Sequence, residues 1–73
     1  MYIVLEIQKT GETLNVVTPI HTYSDLNEAE SYYYSLLSVA AVSKVERHGA
    51  ALLEDSGRGI YYKTYDHIQE EEE

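Results

Sequence analysis

One stretch decides the fold: Ala29-Glu30-Ser31-Tyr32-Tyr33-Tyr34-Ser35-Leu36-Leu37-Ser38-Val39-Ala40-Ala41-Val42-Ser43. Its apolar residues recur three and four positions apart, which is the spacing of a helix that packs on a core. Asp25 is a suitable N-cap, and Glu28 three residues later completes a capping box. The sequence therefore predicts one helix over residues 26–43, with a buried stripe of Leu26, Ala29, Tyr33, Leu36, Leu37 and Ala40.

The opposite side of this helix carries no charge. From Ser31 to Ser43 there are thirteen consecutive uncharged residues, whereas a solvated helix back usually carries Lys, Arg or Glu. Either this side is a water-exposed surface of small residues, or it packs against another molecule. An apolar patch favours the second interpretation. We expect an oligomer interface made of Ser31, Tyr34, Ser35, Ser38, Val39 and Val42.

Alternating segments flank the helix on both sides and predict β-strands. Gly11 lies in the turn of a first hairpin, and a Gly-containing loop after Leu53 forms a second. Because Pro19 has no N–H to donate, the second strand lies at an edge, bulges there or ends there. The predicted strands cover residues 2–8, 14–22, 45–53 and 60–65.

The order of elements is strand, strand, helix, strand, strand. It predicts an α+β fold, a ββαββ two-layer sandwich with a four-stranded, mainly antiparallel sheet and the helix on one face. We expect Ile3, Leu5 and Ile7 to pack on the helix. The other sheet face has no cover in this chain, which also favours self-association, and we expect it to carry Val4, Val17, Leu52, Tyr61 and Tyr65.

Length and composition limit the possibilities. The 73 residues predict a single domain over 1–68 and a solvated, disordered acidic tail over 69–73. So short a chain has a marginal core, and without Cys no disulfide or Cys-based zinc site stabilises it. Oligomerisation is the remaining way to bury more surface. A signal peptide and a membrane span are not predicted, so we expect a cytoplasmic protein with no membrane partner.

The charge balance is acidic. The net charge is −8, and setting aside Glu70 to Glu73 leaves nine acids against five bases, a net charge of −4. This balance argues against binding of duplex nucleic acid but leaves room for a small anionic ligand in a local basic pocket.

Two basic segments are candidate anion sites. In the first, the Gly-rich turn Ser56–Gly59 forms a backbone nest in which Arg58 and Lys63 hold phosphate; alternatively it is an ordinary hairpin loop. In the second, Lys44, Arg47 and His48 are a local excess of base. They are alternatively solvated charges after a helix, and Arg47 and His48 project to opposite faces of a strand.

The eight Tyr residues are the oddest feature of the composition. Tyr32 and Tyr34 flank the core-facing Tyr33, and their rings could stack on a base or on a partner's aromatic side chain. Packing between subunits is the simpler alternative. The six residues expected to bind a ligand are Tyr32, Tyr34, Arg47, His48, Arg58 and Lys63.

Metal binding, cofactor binding and catalysis are not expected. His21, His48 and His67 lie on different segments without metal-ligand spacing, and we interpret His21 and His48 as half-exposed sheet positions and His67 as part of the tail. A nucleophile, base and orienting group cannot be identified, so we expect no enzymatic activity.

Short pieces along most of the chain carry a resemblance to a protein group. They are Ala29-Glu30-Ser31 with Tyr33, the segments 2–8, 40–43 and 65–67, His48 and Gly57. In these pieces the chain resembles short, mostly uncharacterised proteins encoded by phages and prophages of Gram-positive, Clostridia-like bacteria. It differs from them at Tyr32 and Tyr34, where they carry Lys and His. The resemblance implies a phage protein that works in the cytoplasm of the infected bacterium.

Three hypotheses for the function follow. The first is a non-enzymatic homo-oligomer that acts as an anti-defence factor, or sponge, and sequesters a small nucleotide-like immune signal such as a cyclic nucleotide between subunits. The second is an acidic inhibitor of a host defence or nucleic-acid-binding protein, which would use Glu28, Glu30, Glu54 and Asp55. The third is a small structural component of the virion.

Overall fold

The structure is a computed structural model and describes residues 1–67. It has an α+β architecture, as predicted, with one helix on an open antiparallel sheet. The elements are β1 (Tyr2–Thr10), β2 (Thr13–Val16), β3 (His21–Tyr23), α1 (Leu26–Ala41), β4 (Arg47–Glu54) and β5 (Gly59–Asp66). The predicted domain boundary at residue 68 and the acidic tail over 69–73 lie outside the described residues.

The sheet has five strands, and the prediction of four was wrong. The expected second strand is divided into β2 and β3, and Pro19 lies in the break between them. A Pro cannot donate to a strand ladder, so the predicted interruption at this residue is confirmed. The chain resumes pairing at His21, where β3 runs along the other half of β1.

Strand β1 is the centre of the sheet. The strand order is β2-β1-β4-β5, and β3 also pairs with β1, on the same side as β2. Every pairing is antiparallel. A tight turn with Gly11 at φ 61° joins β1 to β2, a backbone conformation that favours glycine.

The helix begins as predicted. The Asp25 carboxylate accepts a hydrogen bond from the backbone N–H of Asn27 at 3.2 Å, which satisfies one of the unpaired donors of the first turn. The helix ends at Ala41, two residues before the predicted end. The predicted stripe is confirmed: Leu26 and Leu37 are partly buried against the core, and the buried positions are Ala29, Tyr33, Leu36 and Ala40.

The orientation of the sheet reverses one prediction. Val4 and Leu52 lie directly opposite each other on β1 and β4, and both are buried under the helix. Since side chains alternate along a strand, Ile3, Leu5 and Ile7 point away from the helix, and the expectation that they pack on it was wrong. The set expected on the uncovered face was wrong for the same reason, because Val4, Val17, Leu52, Tyr61 and Tyr65 lie on the helix side.

Candidate functional site

The sheet face opposite the helix is an apolar surface that no described residue covers. The strand register places side chains from four strands on it: Ile3 faces Leu53, Leu5 faces Ala51, and Ile7 faces both Gly49 and Val16. We call this surface the helix-free face. Its apolar residues are Ile3, Leu5, Ile7, Leu14, Val16, Ala51, Leu53 and Tyr62. Large contiguous apolar surfaces of this kind mark interaction sites.

The helix-free face has a ridge and a furrow. The ridge is the row Ile3, Leu5 and Ile7 on β1. The furrow follows β4, where Gly49 and Ala51 have almost no side chain. A Cβ on Gly49 would meet the Lys63 carbonyl oxygen and, at 2.6 Å, the Thr64 side-chain methyl group, so the close approach of β5 requires glycine here.

Charge is confined to one end of the helix-free face. Lys9 and Arg47 lie opposite each other on β1 and β4, and Asp66 lies opposite Arg47 on β5. The Arg47 guanidinium donates from Nε to Asp66 Oδ1 at 2.7 Å. This hydrogen bond holds the pKa of the Asp66 carboxyl below its usual value and raises the pKa of Arg47.

The helix back is the second uncovered surface. Tyr34, Val39 and Val42 are exposed on it, as the sequence predicted for an oligomer interface. Ser31, Ser35 and Ser38 are exposed beside them. No described residue packs over this surface, and its role as an interface stays a prediction.

Aromatic rings line the junction of the helix with β5. Tyr33 stacks on Tyr61 with ring centroids 5.8 Å apart, and the exposed Tyr34 ring meets Tyr33 edge-on at 5.2 Å. Interaction with the nearby Glu30 carboxylate raises the pKa of the Tyr61 hydroxyl. These contacts make Tyr34 and Tyr61 part of one cluster with a buried anchor in Tyr33.

Lys63 extends this cluster along β5. Its Nζ atom lies 5.0 Å from the centroid of the Tyr65 ring, within the range of a cation–π contact. The Tyr65 ring in turn stacks on His67, whose Nε2–H donates to the Ala40 carbonyl at 2.7 Å. His67 therefore ties the end of β5 to the end of the helix, and the interpretation of this residue as part of a tail was wrong.

Tyr32 lies on the other side of the helix from Tyr34. Its ring packs on His21, with centroids 4.6 Å apart, and on Tyr23. Burial and the nearby Glu6 carboxylate raise the pKa of Tyr32. Beside it lies a cavity of about 60 Å³ lined in part by Glu6, Pro19 and His21. Ligand pockets for organic molecules measure about 300 to 1,000 Å³, so this cavity is too small for a nucleotide.

His48 is the buried polar residue of the core. It is 3% exposed, and its Nε2–H donates to Glu6 Oε2 at 2.7 Å, since a carboxylate can only accept. Gln8 donates to the same oxygen at 3.1 Å. The Nδ1 atom has no hydrogen-bond partner among residues 1–67. The expectation of a half-exposed His48 was wrong, and its burial keeps it away from a surface ligand.

The charged side chains of the Gly-rich loop and of the residues beside it already have partners within the chain. Arg58 donates to Glu54 at 3.1 Å, and Ser56 donates to the other oxygen of the same carboxylate at 3.2 Å. Asp55 lies 3.5 Å from the terminal amino group of Met1. Two of the acids expected to contact a host protein are therefore paired within the chain, as is Glu30 with Tyr61.

The structure does not bring the six predicted ligand residues together in one chain. Arg58 lies at one end of the β4–β5 hairpin and Arg47 at the other, Tyr32 and Tyr34 lie on opposite sides of the helix, and His48 is buried. Tyr34 and Lys63 alone lie on the same side of the molecule, along β5. A site that uses all six would need more than one subunit, and their role in binding stays a prediction.

Sequence reasoning missed the pair of Glu6 and His48 and misplaced the helix-free face. Glu6 and Gln8 alternate with the apolar residues of β1, so they suggested a solvent-facing side. The available signal was His48 in an otherwise small and apolar strand, because a buried imidazole needs a partner on a neighbouring strand.

Residues 1–67 contain neither a metal-binding cluster nor a membrane-spanning helix. Among residues 1–67 no three His, Asp or Glu side chains lie close enough to hold a metal ion. The helix that the structure describes is not long and apolar enough to cross a membrane.

Comparison with known proteins adds no assignment. No protein-family model, curated protein or solved structure matches this chain. The resemblance to phage proteins, and the functions that it implies, therefore stay predictions.

Proposed function

We propose that this protein is a non-enzymatic binding protein that acts by holding another protein molecule against its helix-free face. One observation carries the proposal: Ile3, Leu5 and Ile7, the most apolar row of the central strand, point away from the helix. This row is half-buried by its neighbours on the sheet, and Leu14, Val16 and Tyr62 beside it are exposed. A protein surface is the partner that covers a flat apolar sheet face of this kind.

The charge distribution supports a protein partner over a small anion. Arg47 is paired with Asp66, and Arg58 with Glu54, so both guanidinium groups already have carboxylate partners. A phosphate would have to compete with those carboxylates for the same donors. The cavity beside Tyr32 is also too small for a nucleotide.

The same features support a non-enzymatic role. Glu6 and His21 line the cavity beside Tyr32, and the Glu6 carboxylate is already bonded to the buried His48 at 2.7 Å. An organic substrate does not fit beside them in about 60 Å³. Binding is therefore the activity that the geometry supports best.

Site-specific photocrosslinking in bacterial cells tests the proposal. A photoreactive amino acid placed at Val16 lies on the helix-free face, and one placed at Glu28 lies on the exposed first turn of the helix as the matched control. We expect an adduct with a protein from position 16 and none from position 28. Equal or absent adducts from the two positions would overturn the proposal.

A second candidate is sequestration of a nucleotide-like immune signal by a phage anti-defence protein. The observation that favours it is the strip along β5, where Lys63 lies over Tyr65 and the exposed rings of Tyr34 and Tyr61 follow. Aromatic faces stack on bases, and an ammonium group attracts phosphate. Lys63 and the exposed rings of Tyr34 and Tyr61 would hold the ligand at the margin of one subunit.

Native mass spectrometry with a panel of cyclic mono- and dinucleotides tests this candidate. We expect a fixed stoichiometry of bound nucleotide that is lost in Lys63→Ala and kept in Lys44→Ala, which removes an exposed Lys from the segment after the helix. If the wild-type protein binds no nucleotide, the nucleotides of this panel are excluded as ligands. If both variants bind equally, the strip along β5 is excluded as the binding site.

A further inference from the structure

We infer that the molecule covering the helix-free face is a second copy of this chain. The two sheets pack face to face around a two-fold axis that runs parallel to the strands, between β1 and β4. The inference rests on the proposed function, because it names the protein that this face binds. The resulting dimer has four layers, helix, sheet, sheet and helix, with both helix backs outside.

Shape complementarity is the first argument. The ridge of Ile3, Leu5 and Ile7 on β1 lies directly beside the furrow of Gly49 and Ala51 on β4. A two-fold axis between these strands exchanges their positions, so that each ridge lies over the furrow of the other copy. A two-fold interface requires one surface that carries both complementary shapes, because the same surface is used by both copies.

The edges of the face are complementary in the same arrangement. The axis brings β2 of one copy over β5 of the other, and the register sets Val16 opposite Thr64, two residues along the strand from Tyr62. The exposed Leu14 and Val16 of one copy thus lie over the strand that carries the exposed Tyr62. These side chains are 61%, 43% and 82% exposed in the single chain. A large ring against two aliphatic side chains buries apolar surface at both edges.

The charges fix the direction of the axis. Lys9, Arg47 and Asp66 lie at one end of the face, and Ile3 and Leu53 lie at the other. An axis parallel to the strands places the charged ends of the two copies together, where Arg47 of one copy lies over Lys9 of the other and keeps its own carboxylate partner Asp66. An axis across the strands would press charges onto Ile3 and Leu53, which is costly.

The area is sufficient for a specific dimer. The five strands contain 32 residues in total (9, 4, 3, 8 and 8). At about 3.3 Å per residue and about 4.8 Å between strands they cover about 500 Å² per copy. Both copies together bury about 1,000 Å² before the corrugation of the side chains is counted, which meets the lower limit for a specific interface. Two sheets that pack face to face with nearly aligned strands are a common arrangement.

The test is the oligomeric state of the full chain by sedimentation equilibrium and native mass spectrometry at about 0.1 mM. We expect twice the chain mass of 8.3 kDa. Val16→Lys with Tyr62→Lys should weaken the dimer at least about 100-fold, because both changes place a charge inside the apolar interface. Val39→Lys with Val42→Lys makes the same change on the helix back and should leave the dimer intact.

A charge-complementary variant tests the axis. Val16→Lys with Thr64→Glu should keep the dimer, since position 16 of one copy faces position 64 of the other. Far-ultraviolet circular dichroism of each variant establishes that it is folded. If the two sheet-face variants dissociate equally, the axis is wrong. If only the helix-back variant dissociates, the assignment of the face is wrong.

A monomeric wild-type protein would overturn the inference without deciding the proposed function. In that case, an adduct of the Val16 photocrosslinker with a different protein identifies that protein as the occupant, and the absence of any adduct overturns both. A self-adduct supports the second copy.

Discussion

Gly49 is the position where the sheet leaves no room for a side chain. Gly49→Ala would place a methyl group against the Lys63 carbonyl oxygen and 2.6 Å from the Thr64 methyl carbon. Because β5 would have to move away, we expect a loss of about 1 to 3 kcal/mol in the free energy of unfolding. Urea denaturation of the two proteins at equal concentration measures the loss.

Gly59→Ala is the matched control for this substitution. A Cβ at Gly59 meets only the Leu53 side chain, at an ordinary contact distance of 3.6 Å. We expect a change of less than about 0.5 kcal/mol. Similar losses at the two glycines would show that the close approach at Gly49 has no energetic importance.

The pair of Glu6 and His48 is a polar contact inside an apolar core. Glu6→Leu leaves the buried His48 Nε2–H without its acceptor, and His48→Leu leaves Glu6 with Gln8 as its remaining side-chain donor. We expect each change to cost about 2 kcal/mol and the double variant to cost less than the sum. A double-mutant cycle by urea denaturation measures the coupling, and strict additivity would contradict it.

The ion pair of Arg47 and Asp66 makes stability depend on pH. The hydrogen bond from Arg47 holds the pKa of Asp66 below its usual value of 3.8. A carboxyl with a lowered pKa in the folded state stabilises the fold above its unfolded pKa, and this contribution is lost as the pH falls through the lower, folded value. Asp66→Asn should therefore reduce stability at neutral pH and have no effect in acid.

Chemical unfolding of the wild type and Asp66→Asn from about pH 6 to about pH 2 measures this difference. Glu12→Gln, which changes an exposed carboxylate in the β1–β2 turn, is the control. A wild-type advantage that stays constant over the whole range would contradict the role assigned to the ion pair.

At the scale of the elements, the helix N-terminus depends on one side chain. Asp25→Ala removes the acceptor for the Asn27 N–H, which lies 3.2 Å away. We expect a loss of about 1 kcal/mol in the free energy of unfolding, together with fraying of the first turn. Thermal unfolding and amide exchange measure the two effects, and Ser24→Ala beside it should change neither.

The helix could be predicted because its own residues decide it. A cap at Asp25 and an apolar stripe three and four residues apart depend on local chemistry alone, and the core contacts Tyr33 and Leu36 as expected. The strand break at Pro19 was predictable for the same reason. Both features can be identified without knowing which strands are neighbours.

The direction in which β1 faces could not be predicted from β1. Alternation divides it into two sets, and the set with Ile3, Leu5 and Ile7 is the more apolar. The structure turns the other set inward because Val4 meets Leu52 and Glu6 reaches His48, both on β4. Contacts between distant strands decide which set faces the helix, and the alternation within one strand contains no information about them.

At the scale of the whole molecule, stability should depend on protein concentration. A folded dimer that dissociates on unfolding becomes more stable as the concentration rises. We expect the midpoint of thermal unfolding to rise over a 100-fold range of wild-type concentration, and to stay constant for Val16→Lys with Tyr62→Lys. Differential scanning calorimetry measures both, and a constant wild-type midpoint would contradict the dimer.

The central place of β1 also has a consequence for the order of events in folding. This strand precedes the helix, yet its long partner β4 follows the helix, and the ladder joins Leu5 to Ala51. During synthesis the β1–β2 hairpin is available long before β4. Until β4 is made, the ridge of Ile3, Leu5 and Ile7 lacks its long neighbouring strand and remains uncovered. Such late, long-range pairing slows folding and leaves the chain open to aggregation. Glu6 and Gln8 are polar residues within this otherwise apolar segment of the sequence, and they lower that risk until β4 pairs with β1.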